Sequence, residues 1–409
     1  MTTPELSART STASPSATVP GLAIFALAMG GFAIGTTEFM VMGLLPQIAD
    51  GVEVGIPTAG HLISAYALGV VVGAPILAVT GARLPRRALL VALMTAYAVA
   101  NVLSAVAGSY GLLLLARFLG GLPHGAFFGV ASLVAADLAR PGRQGRAVAT
   151  VMIGLSVANV VGVPAATWLG QHLGWRSAFW VAASLSVLTM ALVFAFVPAC
   201  PGNADATGRR ELRLFADPQA WLTLLAGAVG FGGMFALYSY IANVVTAVGG
   251  LPDGAVPVFL LAFGLGMVAG TWVAGALADW SVFRSLLGSS AAMAVLLVTF
   301  GLVSPTGWPA LLPAFLVAVV SSVLVVNLQL RLMGVAGEAQ TLGAAMNHSS
   351  LNIGNALGAW LGGLVIAAGW GYRAPSFVGA VLAVAGLLIL LVSARASRRD
   401  RAVAQEPGA

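Results

Sequence analysis

Twelve long apolar runs, separated by short polar stretches, dominate the hydrophobic pattern of the 409-residue chain. A helix that crosses the hydrocarbon core of a bilayer needs about 20 mainly apolar residues, and each run reaches that length. The predicted membrane-spanning helices, numbered here as spans 1 to 12, cover residues 21–45, 58–81, 87–108, 110–136, 146–170, 177–197, 219–248, 255–278, 285–304, 308–332, 339–368 and 374–394. The pattern therefore predicts an all-α integral membrane protein.

The chain divides into two similar halves around one long polar loop. Gly174-Trp175-Arg176, before span 6, recurs before span 12 as Gly371-Tyr372-Arg373, at an offset of 197 residues. Two repeated six-helix halves with a substrate site between them are typical of membrane transporters. The predicted organisation is a disordered N-terminal tail (1–20), an N-terminal bundle (21–197), a central loop (198–218), a C-terminal bundle (219–394) and a C-terminal tail (395–409).

The composition of the chain excludes several classes of protein. Hydrophobic residues make up 59% of the chain and charged residues only 8%, whereas soluble globular chains are roughly a quarter charged. A soluble enzyme, a disordered protein and a nucleic-acid-binding protein are therefore excluded, although the formal net charge is +6.

The arginine residues predict the orientation of the chain in the membrane. All 19 basic residues are Arg. With a cytoplasmic N-terminus, sixteen of them lie on the cytoplasmic side, two (Arg176 and Arg373) lie outside, and Arg117 lies within span 4. Because cytoplasmic loops are enriched in basic residues, both termini are predicted to be cytoplasmic.

Several motifs, taken together and in order, resemble one known family. They are the segments 35–40 and 43–49 in span 1, Arg117-Phe118 through Val130 in span 4, Gly162-Val163-Pro164 in span 5, Gly174-Trp175-Arg176 to Phe179 before span 6, and Gly275 to Asp279 at the end of span 8. The chain resembles a major facilitator superfamily transporter of the twelve-span drug:proton antiporter group. Within that group it is similar to bacterial exporters for sugars such as arabinose and for chloramphenicol.

The resemblance covers roughly residues 21–395 and implies a fold of two six-helix bundles that work by alternating access. Two departures stand out. In the loop after span 2, Ala82 replaces the family's acidic residue and Pro85 replaces its glycine, so the usual latch of the N-terminal half is incomplete. The antiporter motif of span 5 keeps Gly154, Gly162 and Pro164 but few of its other glycines.

Glu38 is the central candidate for chemistry, because it is the only acidic residue deep inside a predicted span. A carboxylate in hydrocarbon is costly, so such a group usually faces a water-filled cavity and carries ions or protons. The alternative is a neutral acid that donates one hydrogen bond between helices.

Arg117 and His124 complete the predicted proton-coupling set. Glu38 and Arg117 each lie seven residues from the outer end of their span, which places both about 10 Å below the surface. Matched depth allows an ion pair if spans 1 and 4 are neighbours, as the resemblance implies, and protonation of Glu38 would then release Arg117. The alternatives are a structural ion pair and, for His124, a hydrogen bond to a carbonyl freed by the adjacent Pro123.

The predicted substrate-binding residues are polar or adaptable side chains inside the spans. In span 11, His348, Asn352 and Asn355 recur at the spacing of one helix face. The full set is Met42, Tyr66, Phe127, Asn159, Tyr238, Asn243, Asn327, His348 and Asn352. The alternative for each residue is ordinary packing or a hydrogen bond between helices.

Four charged residues at predicted cytoplasmic helix ends are assigned to gating: Arg83, Arg87, Asp279 and Arg284. We expect Asp279 and Arg284, at the end of span 8, to form a latch that holds one access state.

The combined prediction is proton-coupled efflux of a small organic molecule, either a drug such as chloramphenicol or a sugar-like metabolite, across the bacterial plasma membrane. The alternatives are a symporter or facilitator for uptake and a non-transporting membrane sensor. No enzyme activity, metal or cofactor is expected, since the chain has one cysteine, four scattered histidines and no Gly-x-x-x-x-Gly-Lys segment. The expected partners are the lipid bilayer, the substrate and protons, with no nucleic acid, and the protein is expected to be a monomer.

Overall fold

The computed structural model describes residues 20–199, 208–337 and 339–405. The predicted N-terminal tail, apart from Pro20, and residues 200–207 of the central loop lie outside the described residues. Helices form nearly all of the described chain, because the apolar runs can satisfy their backbone groups in lipid only by helical hydrogen bonds.

The membrane-crossing helices carry the labels α1 to α12 in chain order. Their bounds are Pro20–Gly43 (α1), Ile56–Gly81 (α2), Arg86–Val106 (α3), Tyr110–Leu138 (α4), Gln144–Leu173 (α5), Trp175–Phe196 (α6), Pro218–Tyr238 (α7), 256–280 (α8), 282–303 (α9), Leu311–Val335 (α10), Gln340–Ala367 (α11) and Ala374–Gln405 (α12). Shorter helical segments, among them Leu45–Gly51, Gly208–Glu211 and Ile241–Asn243, lie at the ends of these helices or between them.

Helices α8 and α9 follow each other with only one non-helical residue between them. The continuous segment Val256–Thr306 has 51 residues, which would make a straight helix about 76 Å long, more than twice the thickness of a hydrocarbon core. The backbone leaves the helical region at Ser281, where φ is −169° and ψ is 105°. The described chain therefore crosses the membrane twelve times, and the predicted all-helical, twelve-span architecture is confirmed.

The observed helices differ from the predicted spans in several places. Span 7 was predicted to run to residue 248, but α7 ends at Tyr238, and the rest of that apolar run forms the short helix Ile241–Asn243 and a π-helical turn over Val244–Val248. Helix α12 continues to Gln405, whereas the apolar run ends at residue 394, because a helix can extend past the hydrocarbon into polar sequence. Helix α5 contains a π-helical turn over Ala158–Gly162, just before Pro164. Proline has no N–H to give to the residue four positions earlier, and the widened turn accommodates that loss.

The two halves repeat the same close contact at the sequence offset of 197 residues. In the N-terminal half, Gly69 and Gly73 of α2 lie against the backbone of Phe118 and Leu122 in α4. In the C-terminal half, the equivalent contact brings Gly266 and Gly270 of α8 against the backbone of Phe315 and Val319 in α10. No side chain fits at these four glycines, so small residues set the helix separation in both bundles.

The two halves touch each other mainly on the side of the membrane where the arginines cluster. Asp279, near the end of α8, accepts a hydrogen bond from the N–H of Gly145 at 2.8 Å and pairs with Arg146 at 3.3 Å at the start of α5. Nearer the middle of the bilayer, Gly129 of α4 lies against the backbone of Ala345 in α11. These contacts close the arginine-rich side of the molecule.

A third contact on this side comes from the segment that connects the halves. The carboxylate of Glu211 accepts a hydrogen bond from the N–H of Leu342 at 2.9 Å, in the first turn of α11. The residue before that helix is Ala339, which has no side-chain acceptor to cap it. Burial raises the pKa of Glu211, and the N–H of Leu342 partly offsets that rise. Glu211 therefore caps α11 in place of a local residue.

Replacing Glu211 by alanine should weaken closure of the arginine-rich side. A lost helix cap costs about 1 kcal/mol, which corresponds to about a fivefold change in the population of the closed state. The distance between spin labels attached at Leu84→Cys and Gln340→Cys, in a Cys200→Ser background, reports that population. Glu211→Ala should add a longer distance, whereas Glu211→Gln keeps an acceptor and should resemble the parent protein. An unchanged distance distribution in Glu211→Ala would contradict the assignment.

Candidate functional site

A cavity lies between the two halves, near the middle of the bilayer, and the space among its lining atoms is about 810 Å³ when the part open to solvent is included. Helices from both halves line it, and the contacts described above close it on the arginine-rich side. Its polar lining residues are Glu38, His124, Ser156, Asn159, Tyr238, Thr271, Ser321, Ser322, His348, Asn352 and Asn355. The same cavity therefore collects several of the polar side chains that the twelve helices carry inside the membrane.

Glu38 lines this cavity from α1 and is half-buried. The predicted direct ion pair with Arg117 is not formed, since neither ion pair found among the described residues involves Glu38. Arg117 instead places its guanidinium over the ring of Tyr66, 4.3 Å from the ring centre, and is only 2% exposed. Glu38 and Arg117 lie at the same depth along their helices, but their side chains point in different directions.

A chain of hydrogen bonds connects the two halves beside the cavity. The Tyr97 hydroxyl lies 3.2 Å from the Tyr66 hydroxyl, which lies 3.0 Å from Nδ1 of His124. Nε2 of His124 then lies 3.1 Å from Nδ1 of His348, across the boundary between the halves. The His348 ring is also stacked on Phe128, with ring centres 4.3 Å apart. His124, predicted as a proton-coupling residue, thus contacts the opposite half directly.

Aromatic side chains of the C-terminal half form the apolar part of the lining. Phe231, Phe235 and Tyr238 project from α7, and Phe263 projects from α8. Phe231 and Phe235 meet edge to face at 5.3 Å, and Tyr238 packs on Phe263 at 4.8 Å. This aromatic wall suits a flat apolar ring.

The internal repeat relates these two kinds of lining. At the offset of 197 residues, Glu38 corresponds to Phe235 and His124 corresponds to Ser321. All four of these side chains line the same cavity. The N-terminal half therefore presents ionisable groups at positions where the C-terminal half presents an aromatic or a neutral residue.

Five of the predicted substrate-binding residues lie outside the cavity lining. Met42 and Asn243 are exposed beyond the helix segments that reach the cavity. Phe127 packs against Gly30 of α1, where no side chain obstructs its ring. Asn327 is buried within the bundle and donates a hydrogen bond to its own helix at Val323. Tyr66 is buried behind the cavity, where it holds His124. The periodicity of the sequence does not give the rotation of each helix about its own axis, so it could not show which of these side chains face the cavity.

Asn159, Tyr238, His348 and Asn352 do line the cavity. Sequence reasoning missed Phe235 and Phe263, since aromatic residues in apolar runs carry no individual signal. The repeat could have found both, because it aligns Phe235 with Glu38 and Phe263 with Tyr66.

The predicted gating residues are dispersed. Asp279 bridges the halves, but its partner is Arg146 rather than Arg284, whose guanidinium lies over Trp280 of its own half. Arg87 packs its guanidinium on Phe194 within the N-terminal bundle. Arg83 is exposed in the loop after α2. Since Arg284 follows the break in α8–α9, its side chain points away from Asp279. Sequence reasoning missed Glu211, whose carboxylate accepts the hydrogen bond from Leu342 on the same side of the molecule.

Known proteins show similarity along nearly the whole chain. The family model for the Major Facilitator Superfamily matches residues 27–347. The chain is 42% identical over 372 residues to the inner membrane transport protein YdhP of Escherichia coli K12, covering 91% of this chain and 96% of that protein. It is 35% identical over 383 residues to a chloramphenicol resistance protein of Streptomyces lividans, covering 90% and 95%.

A solved structure shows the same fold at low sequence identity. The Escherichia coli fucose:proton symporter FucP matches with a TM-score of 0.74 over 90% of this chain and 98% of its own, at 15% identity. The twelve crossings and the inner-membrane relatives confirm a multi-pass protein of the bacterial inner membrane. The extent of the family match, together with the two repeated bundles around a central cavity, shows that this chain belongs to the Major Facilitator Superfamily.

Proposed function

We propose that this transporter exports a small organic molecule in exchange for protons, by alternating access of the central cavity. The observation that carries the proposal is the position of Glu38. It is an acidic side chain inside a membrane helix, and it lines a cavity shared by both halves. An ionisable group in such a place is a functional-site hypothesis by default.

Protonation of Glu38 would couple the proton gradient to the movement of the two halves. When the cavity faces the outside, the carboxylate takes up a proton, and the neutral side chain is less costly to enclose between the bundles. After reorientation the proton leaves to the cytoplasm, and the cavity can take up substrate. A ligand or proton shifts such an equilibrium only by binding the two states differently.

The lining favours a substrate with an apolar ring and polar substituents. The aromatic wall of α7 and α8 offers edge and face contacts. Serine, threonine and asparagine side chains cover other parts of the same cavity. Chloramphenicol has a nitrophenyl ring for the aromatic wall, and two hydroxyls and an amide for the polar side chains. The 35% identity to a chloramphenicol resistance protein supports both this choice and the export direction.

Glu38→Gln should abolish gradient-driven accumulation of chloramphenicol in inside-out membrane vesicles. The amide keeps the shape of the side chain but cannot release a proton. Asp50→Asn is the matched control, because it makes the same chemical change at an exposed acid outside the cavity. Both variants are compared with the wild type at equal expression.

Each result of that experiment has a definite meaning. Accumulation that survives in Glu38→Gln would show that another group carries the proton. No gradient-driven accumulation in the wild type would remove chloramphenicol as a substrate. Accumulation driven in the opposite sense, in right-side-out vesicles, would replace export by symport.

Phe235→Leu should weaken the apparent affinity for chloramphenicol by about two- to twelvefold, because an aromatic pair is worth about 0.5–1.5 kcal/mol beyond its area. Phe25→Leu makes the same change at an α1 residue that is 53% exposed, and it should stay within about twofold of the wild type. The measurement is the half-saturating concentration for accumulation in the same vesicles. Equal effects of the two substitutions would argue against an aromatic binding wall.

A further inference from the structure

One nitrogen of His348 is left without a partner in an otherwise complete hydrogen-bonded cluster. Nδ1 of His348 lies 3.1 Å from Nε2 of His124, but Nε2 of His348 is buried and has no hydrogen-bond partner among the described residues. The residue lines the central cavity. A buried, unpartnered polar atom at a ligand cavity calls for an explanation.

The direction of the hydrogen-bond chain decides whether this nitrogen is a donor or an acceptor. The Tyr97 hydroxyl lies 3.3 Å from the carbonyl oxygen of Ile34, and a carbonyl can only accept, so Tyr97 donates there. Tyr97 then has only a lone pair for Tyr66, because a hydroxyl has one hydrogen to give. The Tyr66 hydroxyl donates to Tyr97 and in turn accepts from Nδ1 of His124.

The same reasoning continues into the opposite half. A neutral imidazole that carries its hydrogen on Nδ1 has a lone pair on Nε2. Nε2 of His124 therefore accepts from Nδ1–H of His348, and the unpartnered Nε2 of His348 is also a lone pair. The stacking of His348 on Phe128, at an angle of 16°, holds the ring in this orientation.

Two hydroxyl groups of the cavity have also committed their hydrogens. Thr271 donates its hydroxyl hydrogen to Met267 of its own helix at 2.8 Å, and Ser321 donates to Ala318 at 2.8 Å. A serine or threonine that has given its hydrogen away can only accept. Asn159 and Asn352 each give one of their two amide hydrogens to a carbonyl four residues earlier. Thr271 and Ser321 therefore add acceptors to the cavity that contains His348.

We propose that His348 presents Nε2 as a fixed hydrogen-bond acceptor for a hydroxyl or amide N–H of the transported molecule. This inference rests on the proposed function, and it narrows the substrate class to compounds that donate hydrogen bonds. Tyr66 and Tyr97 lie outside the cavity lining, and both ring nitrogens of His124, which does line the cavity, are already engaged with Tyr66 and His348. All three are positioning residues that fix the tautomer of His348.

The protonation of the histidine nitrogens can be measured without any substrate, by nitrogen NMR of purified protein labelled at its four histidines. The His348 signals are assigned by comparison with His348→Gln. The expected spectrum shows hydrogen on Nδ1 and a lone pair on Nε2 of His348, and Tyr66→Phe should disturb this tautomer. Hydrogen on Nε2 of neutral His348 would overturn the inference, because the chain would then run in the opposite direction.

Two substitutions at His348 separate the acceptor from the contact with His124. An asparagine amide reaches the place of Nδ1 only, whereas a glutamine amide reaches the place of Nε2. His348→Asn should weaken binding of chloramphenicol or arabinose, both of which carry hydroxyl donors, by about three- to tenfold. His348→Gln should stay within about twofold of the wild type.

A purely structural role for His348 predicts the reverse order, with asparagine tolerated and glutamine not, and that result would overturn the inference. Failure of the proposed function has a different signature. If the proposed function fails, no gradient-driven flux is seen. The tautomer of His348 is measured without substrate or gradient, so that result does not depend on transport.

Discussion

The cost of placing ionisable side chains inside a bilayer is the constraint on which the rest of this structure depends. A charged residue at the centre of a membrane helix costs about 2.5–3.5 kcal/mol on insertion scales. The chain keeps such residues few and places them at or beside one cavity. Glu38 lines it, and Arg117 is enclosed behind it with its guanidinium on the face of Tyr66. Both residues therefore lie at or just behind the polar gap between the two bundles.

The two bundles share a backbone plan but differ in chemistry. Glycines at equivalent positions of α2 and α8 set the same close approach to α4 and α10. At equivalent positions of the repeat, Glu38 corresponds to Phe235 and His124 corresponds to Ser321. The cavity is assembled from both halves, and at these two pairs of equivalent positions only the N-terminal half presents an ionisable group.

The sequence predicted the fold better than it predicted the site. Length and apolarity fix twelve crossings, and the offset of 197 residues fixes the repeat. The sequence also singled out Glu38, which lines the cavity, because a lone acidic residue in an apolar run is a strong signal. The pairing of Glu38 with Arg117 failed because equal depth says nothing about which way two side chains point. The contact between His124 and His348 joins residues 224 positions apart, and no local pattern encodes it.

Two acidic side chains cap helices on the arginine-rich side of the molecule. The first N–H groups of a helix need acceptors, and the first turn of α11 has no local cap. Glu211, in the segment between the halves, supplies a carboxylate to Leu342. Asp279 supplies a second one to Gly145 at the start of α5. In both cases an acidic side chain caps the beginning of a helix in a different part of the molecule. Separating the halves breaks the Asp279 contact directly, and it releases Glu211 only if the connecting segment moves away from α11. The Asp279 contact thus joins the two bundles, whereas the Glu211 contact ties the connecting segment to the C-terminal bundle.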